Sequence, residues 1–172
     1  KVSVLVKDVV APSFNQNALN IEIGYTETFD IEAHKSILNV TDNYYNVNDL
    51  VISIKENTYT ANKSKVGQYR VTYEIKDPSQ NISTAVVVVN VVDDVSPVIN
   101  GPTLLTKPST EVMTLSDILS HFTANDIIDG NITNRIEVLA NEYTGNGSKV
   151  GSYDVVLRVL DSNGNFALHT LT

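Results

Sequence analysis

The chain repeats itself, and the interval bounds what it can fold into. Ser64-Lys65-Val66-Gly67-Gln68-Tyr69 returns as Ser148-Lys149-Val150-Gly151-Ser152-Tyr153, 84 residues later. Asp77-Pro78-Ser79-Gln80-Asn81 returns at the same interval as Asp161-Ser162-Asn163-Gly164-Asn165. Asp8-Val9-Val10-Ala11-Pro12 matches Asp93-Asp94-Val95-Ser96-Pro97 at 85, so one residue is inserted between the blocks. A period of this length is one small β-sandwich domain, too long for a solenoid repeat. The division expected is a first domain over 9–93 and a second over 94–172. Residues 1–8 are then the end strand of a preceding unit or a linker, because Val2–Lys7 aligns with Val87–Val92. The opening Lys1-Val2-Ser3-Val4 already alternates like a strand and has no signal-peptide character. The chain is therefore expected to begin and end inside something larger.

Within each copy the local pattern is β. Tyr69, Val71, Tyr73 and Ile75 alternate with Gln68, Arg70, Thr72, Glu74 and Lys76, which is period 2 with one face buried. The counterpart keeps Tyr153, Val155, Leu157 and Val159 inward, but Val156 and Leu160 make its outer face more apolar. Ala85–Val92 is nearly unbroken valine, a strong β-former. Val51–Ile54 and Ile136–Leu139 read as shorter strands. Asp77–Asn81 and Asp161–Asn165 read as turns closing hairpins, since Asp, Asn and Gly supply side-chain bonds and positive φ. One segment differs: Leu115, Ile118, Leu119 and Phe122 follow helical spacing, with Ser116 as the expected cap. Ile31–Leu38 holds the same place in the first copy, less regularly. The fold class expected is all-β, two tandem immunoglobulin-like sandwiches, each with one short helical turn. A continuous strand is the competing reading for that turn.

Composition removes several function classes. A net charge of −8 and a pI near 4.7 oppose nucleic-acid binding, which rests on Lys and Arg at phosphates, and oppose anionic membrane surfaces. There is no cysteine, which excludes zinc ribbons, thiol chemistry and disulfide frameworks. No apolar run approaches the ~20 residues of a membrane span. Hydrophobic residues at 42% suffice for a packed core.

The order of blocks in the second copy resembles a family of bacterial immunoglobulin-like repeats. The blocks are Pro97–Ile99, Thr123–Thr133 with its Asp-Gly-Asn centre, Gly151–Val155 and Asp161–Asn165. That family is related to hyalin repeats, occurs in tandem in surface and secreted proteins, and has a member in a pesticidal crystal protein. The first copy is divergent. It keeps Gly67, Tyr69, Asp77 and Asn81, but has Asp42-Asn43-Tyr44-Tyr45-Asn46 at the Asp-Gly-Asn loop. It also has Pro78 and Gln80 where the turn normally ends in Gly. The resemblance implies an extracellular, non-catalytic spacer or adhesin-stalk module whose partners are neighbouring domains of the same chain. The alternatives are an accessory module of a large secreted hydrolase or toxin contacting host or cell-wall glycan or protein, and a phage surface decoration domain.

Candidate sites are few. Asp126, Asp129 and Asn131 place oxygens across a Gly-containing turn, as a hard cation such as Ca²⁺ requires, and Asp93 or Asp94 could add more. The competing reading is that Asp126 and Asp129 only form side-chain turns, Gly130 supplies positive φ and Ile132 enters the core. Tyr69 and Tyr153, in Gly-x-Tyr-x-Val, read as structural corner tyrosines. Tyr44, Tyr45, Tyr59 and Tyr143 fall in loops or edges, where a sugar site could use them. His34, His121 and His169 share no metal or relay spacing, and His121 reads as half-buried beside Phe122. No nucleophile elbow and no paired acids across a cleft are legible, so no enzyme and no resident cofactor are expected.

Overall fold

A computed structural model describes residues 1–15 and 19–172. The chain forms two compact units, Lys1–Val92 and Asp93–Thr172. Each is an immunoglobulin-like β-sandwich unit with one helical turn.

In unit 1 the strands are β1 (Asn20–Gly24), β2 (Val51–Asn57), β3 (Gly67–Lys76) and β4 (Ile82–Val92), with helix α1 over Ile31–Ile37. They form one sheet in the order β1-β4-β3-β2, β1 running parallel to β4 and the other pairs antiparallel. The valine run resolves into alternation once placed in β4. Ala85, Val87, Val89 and Val91 are buried, whereas Val86 stays exposed. They meet Val71, Tyr73 and Ile75 of β3, with Leu38, Val40 and Tyr59 closing the core. Among the described residues the second layer consists of the bridge between Ser13 and Thr41, whose hydroxyls lie 2.8 Å apart, and a hydrogen bond from Asn15 N to Leu38 O at 2.7 Å.

Unit 2 follows the same plan with β5 (Val98–Asn100), β6 (Thr123–Asp126), β7 (Gly130–Asn131), β8 (Glu137–Asn141), β9 (Val155–Leu160) and β10 (Phe166–Leu171). Its helix α2 covers Leu115–Leu119. One sheet is β10-β9-β8 and the other β5-β6-β7. The repeat extends to individual bonds. Val88 N donates to Leu19 O in unit 1, and Thr172 N donates to Thr103 O in unit 2. The Ser13–Thr41 bridge corresponds to Val98 beside Asn125.

In unit 2 Gly130 takes φ 72 and closes the β6–β7 hairpin, which adds β7 to the second sheet. That left-handed conformation strains side chains with a Cβ. Unit 1 has Asn46 at the same place with φ −74, and the chain enters a 3₁₀ turn over Val47–Asp49 instead.

The helical turns formed at both expected places, with two differences. The cap of α2 is Thr114 rather than Ser116. Thr114 Oγ1 accepts from Asp117 N at 3.1 Å and Asp117 Oδ2 accepts from Thr114 N at 2.7 Å. This reciprocal box satisfies two otherwise unpaired amides, and it places Ser116 inside the first turn, where it cannot cap. In α1, Ile37 is exposed, and His34 takes the inward face with Leu38 following the helix. The His34 ring is edge-on to Phe29 and stacked on Tyr73, while Tyr73 Oη donates to Ile31 O. No helix among the described residues is long and apolar enough to cross a membrane.

Candidate functional site

The polar residues that recur between the copies converge at one place in each unit. In unit 2 they are Asp93, the first residue of the unit, Asp126 at the end of β6, and Asp161 at the end of β9. Each contributes a carboxylate oxygen, and these oxygens all lie within 4.8 Å of one another. All three residues are buried, at 5%, 7% and 7% exposure.

Each aspartate is fixed by backbone amides from its own loop. Asp126 Oδ1 accepts from Ile128 N at 2.7 Å and from Asp129 N at 2.9 Å. Asp161 Oδ1 accepts from Asn163 N and Asn165 N, and its Oδ2 accepts from Asn165 Nδ2. The same Asn165 amide reaches Asp93 O at 3.1 Å, joining the turn to the start of the unit. Asp93 Oδ1 accepts from Val95 N. After these bonds, Asp93 Oδ2 and Asp126 Oδ2 are buried without a hydrogen-bond partner. Burial pushes the Asp93 carboxyl up from its ordinary range; the Val95 amide opposes this, and the negative charges of Asp126, Asp161 and Asp129 add to it.

Unit 1 carries the same triad as Asp8, Asp42 and Asp77. Asp42 Oδ1 accepts from Tyr44 N and Tyr45 N, matching Asp126 bond for bond. Asn81 Nδ2 bonds Asp77 Oδ2 and Asp8 O, matching Asn165. Asp8 Oδ2 and Asp42 Oδ2 are again without a hydrogen-bond partner. Asp77 is buried, but Asp8 and Asp42 are only half-buried.

Of the three oxygen-bearing residues suggested by the turn, only Asp126 lies in this cluster. The Asp129 carboxylate accepts from Ser162 N and Ser162 Oγ and pairs with Arg135. Those bonds and the Arg135 charge hold it below the usual carboxylate range, the Ser162 hydroxyl contributing most. Asn131 is exposed, and its Oδ1 accepts from Thr133 N. Asp161 was legible only as a turn residue. The signal that finds it is the spacing itself, since aspartate recurs at 8 and 93, at 42 and 126, and at 77 and 161.

The tyrosines divide into framework and surface. Tyr59 is 2% exposed, and its Oη accepts from Phe29 N at 2.8 Å. Tyr143 Oη accepts from Met113 N at 3.0 Å, the same bond one period on. Burial closes off the Tyr59 ring, whereas the half-buried Tyr143 ring lines a cleft of unit 2. Tyr69 Oη donates to Lys65 O, a bond typical of the corner tyrosine. Tyr45 Oη lies 2.6 Å from Ser79 Oγ, and Tyr44 is the exposed ring of the four.

The histidines are apart in role. His34 is buried in α1, His121 is exposed rather than half-buried, and His169 bonds Pro102 O with its ring edge-on to Phe122. A cleft of about 340 Å³ in unit 2 is lined by Leu105, Lys107, Met113, Val150 and Tyr153 among others. The Lys107 ammonium lies over the Tyr143 ring and donates to the carbonyls of Pro108, Glu111 and Gly147.

No protein-family model matches the chain. It is similar to an uncharacterized 81.3 kDa protein of Acholeplasma phage L2, with 42% identity over 169 residues. That alignment covers 98% of the chain and 23% of the phage protein, so the chain spans about a quarter of its relative. Among solved structures, one similar chain holds the M60 catalytic domain with CBM51-1 and CBM51-2 domains of Clostridium perfringens ZmpB. That match has a TM-score of 0.46 and 14% identity, covering 95% of this chain and 30% of that one. Another is protocadherin gamma B7 extracellular cadherin domains 1–4, with a TM-score of 0.40 and 15% identity, covering 94% and 49%.

Proposed function

We propose that the chain is a non-catalytic architectural segment, two immunoglobulin-like sandwiches acting as a spacer within a longer extracellular or particle-borne protein. The observation that carries this reading is what the two copies share. They share bonds that hold the fold: the Tyr59 and Tyr143 staples, the Asn81 and Asn165 clamps, and the capped helical turns. Residues outside that framework differ, such as Asp129 against Tyr45 and Gly130 against Asn46. A duplicated module that keeps its scaffold and varies its surface is suited to setting distance. The length of the phage relative supports the same reading, since the matching segment is 23% of that protein.

The test is a pair of measurements on the purified chain. Stretching single molecules should give two separate unfolding events, each lengthening the chain by about 280 Å for roughly 80 residues at full extension. A screen against glycan arrays and bacterial cell walls should show no saturable binding at micromolar concentration. Saturable glycan binding would move the chain to the adhesive class, and turnover of any glycan or peptide would end the non-catalytic reading.

A further inference from the structure

We propose that Asp93, Asp126 and Asp161 form a Ca²⁺ site inside unit 2. The site is three buried carboxylates facing one another with no base among them. Among the described residues, the lysine and arginine ion pairs end on Glu32, Glu74, Asp129 and Glu137, and none ends on the triad. Burying like charges this close is unfavourable unless something positive sits between them.

The independent pointer to a ligand is the pair of orphaned oxygens. Asp93 and Asp126 are each more than nine-tenths buried, and the Oδ2 of each has no hydrogen-bond partner. Their other oxygens are held by loop amides, so each carboxylate has one oxygen fixed by protein and one left for a ligand. Asp161 adds a third carboxylate: its Oδ1 accepts from Asn163 N and Asn165 N, and its Oδ2 keeps a lone pair beyond the bond from Asn165 Nδ2. Oxygens within 4.8 Å of one another suit a central ion with oxygen distances of about 2.3–2.6 Å, the Ca²⁺ range. An all-carboxylate set with no His or Cys selects a hard cation over zinc or copper. Mg²⁺ asks for tighter, near-octahedral oxygens, which three residues from separated loops are poorly arranged to give.

The recurrence of the triad adds weight. Unit 1 retains Asp8, Asp42 and Asp77 with the same amide bonds, although its neighbouring loop residues have changed. In unit 2 the ion would tie three separated segments together: the start of the unit, the β6–β7 hairpin, and the β9–β10 turn. The chemistry is a clamp, and the inference stands independently of the spacer reading.

The experiment uses the intact chain, stripped with EDTA and then titrated with CaCl₂, with MgCl₂ as comparator. Two-dimensional amide NMR locates binding, and calorimetry measures it. The expected result is saturable Ca²⁺ binding that moves the amides of Val95, Ile128, Asp129, Asn163 and Asn165. The melting temperature should rise with the logarithm of Ca²⁺, and Ca²⁺ should bind at least about tenfold more tightly than Mg²⁺. Asp126→Asn and Asp161→Asn should each weaken affinity by roughly tenfold or more, since ligand charge sets affinity. Asp129→Asn should leave it within about twofold, because that carboxylate bonds Ser162 and Arg135 instead. No shift or heat at about 10 mM Ca²⁺, well above the range of weak extracellular sites, overturns the proposal. Binding that moves Asn131 and Thr133 amides while Val95 and Asn163 stay still overturns it as well. Should an Asn variant not fold, the wild-type titration alone decides.

Discussion

At the scale of single residues, the most informative side chains are those whose reason for being there is a contact two or thirty positions away. The Gly-x-Tyr motif is one. A Cβ on Gly151 would lie 2.7 Å from Tyr153 Oη and 2.9 Å from its Cζ, so the ring folds back over a space only glycine leaves. Gly151→Ala should destabilise unit 2 by about 1–3 kcal/mol, the usual effect of overpacking, read as a lower urea midpoint at unchanged slope. Tyr143 is another. Tyr143→Phe keeps the ring but removes the acceptor for Met113 N, a loss of about 1–3 kcal/mol if that amide stays unpaired. Tyr59→Phe does the same to Phe29 N in unit 1. The two losses should add within roughly 0.5 kcal/mol because the bonds lie in different units; a strong coupling between them would show that the units do not unfold separately. Tyr59 and Tyr143 were read as loop or edge rings because alternation locates strand faces and is silent on a side chain that reaches back from a loop. Period-2 patterning named Val71, Tyr73, Ile75, Val155, Leu157 and Val159 correctly as core, whereas Tyr69 and Tyr153, read as inward, are half-buried and Thr72, read as outward, is buried. It could not show that a phenol 30 residues from its partner amide completes that core.

Elements follow from short-range chemistry, and the helical turns show how far this goes. Helical spacing located α2, yet Ser116 was the expected cap and Thr114 is the cap found. Both residues are hydroxyls, two positions apart, and only the reciprocal bond with Asp117 distinguishes them. Hydrogen bonds from the Thr114 hydroxyl, then from the Thr114 amide, hold the Asp117 carboxyl below its ordinary range. The sign follows from linkage. A carboxylate depressed in the folded state adds stability above its unfolded pKa, and that contribution is lost as pH falls through the depressed folded value. The amides of Leu115–Leu119 should therefore shift toward frayed positions only when pH drops below the usual carboxylate range. Thr114→Ala should return the Asp117 titration toward ordinary values and weaken the turn by about 1 kcal/mol. An NMR pH titration of both proteins checks this, and an unchanged Asp117 titration in the variant would remove the box as the cause. The second sheet was less legible. Among the described residues the same strand positions give β5-β6-β7 in unit 2 but the Ser13–Thr41 bridge and the Asn15–Leu38 bond in unit 1, and the β7 hairpin turns on Gly130 where unit 1 has Asn46. Strand propensity carries no record of a turn's φ, so the difference emerges only once the backbone is built.

For the whole molecule, the question is whether duplication multiplied a scaffold or also a site. The acidic triads bear on this because, among the described residues, both units carry one. The repeat placed aspartate at each of the six positions, but the turn-based reading gathered Asp126, Asp129 and Asn131 instead. That reading also offered Asp93 or Asp94, so it held two of the three triad residues; Asp161 stayed outside it because ligands drawn from separate segments leave no local spacing to read, unlike a loop that carries all its own. If the unit 2 site binds Ca²⁺ as proposed, unit 1 should bind a second ion more weakly. Asp8 and Asp42 are half-buried there, so water competes for their oxygens. The calorimetric isotherm should then show two ions per chain in two steps. The tighter step should weaken by roughly tenfold or more in Asp161→Asn, and the weaker step likewise in Asp77→Asn. Each bound ion stabilises its own unit by mass action, about 2.7 kcal/mol at a hundredfold excess over its dissociation constant. Heating in EDTA and in Ca²⁺ should thus raise the unit 2 transition at low Ca²⁺ and the unit 1 transition only at higher concentrations. A single step that survives Asp77→Asn unchanged would show that duplication kept the unit 1 aspartates for their turn bonds alone.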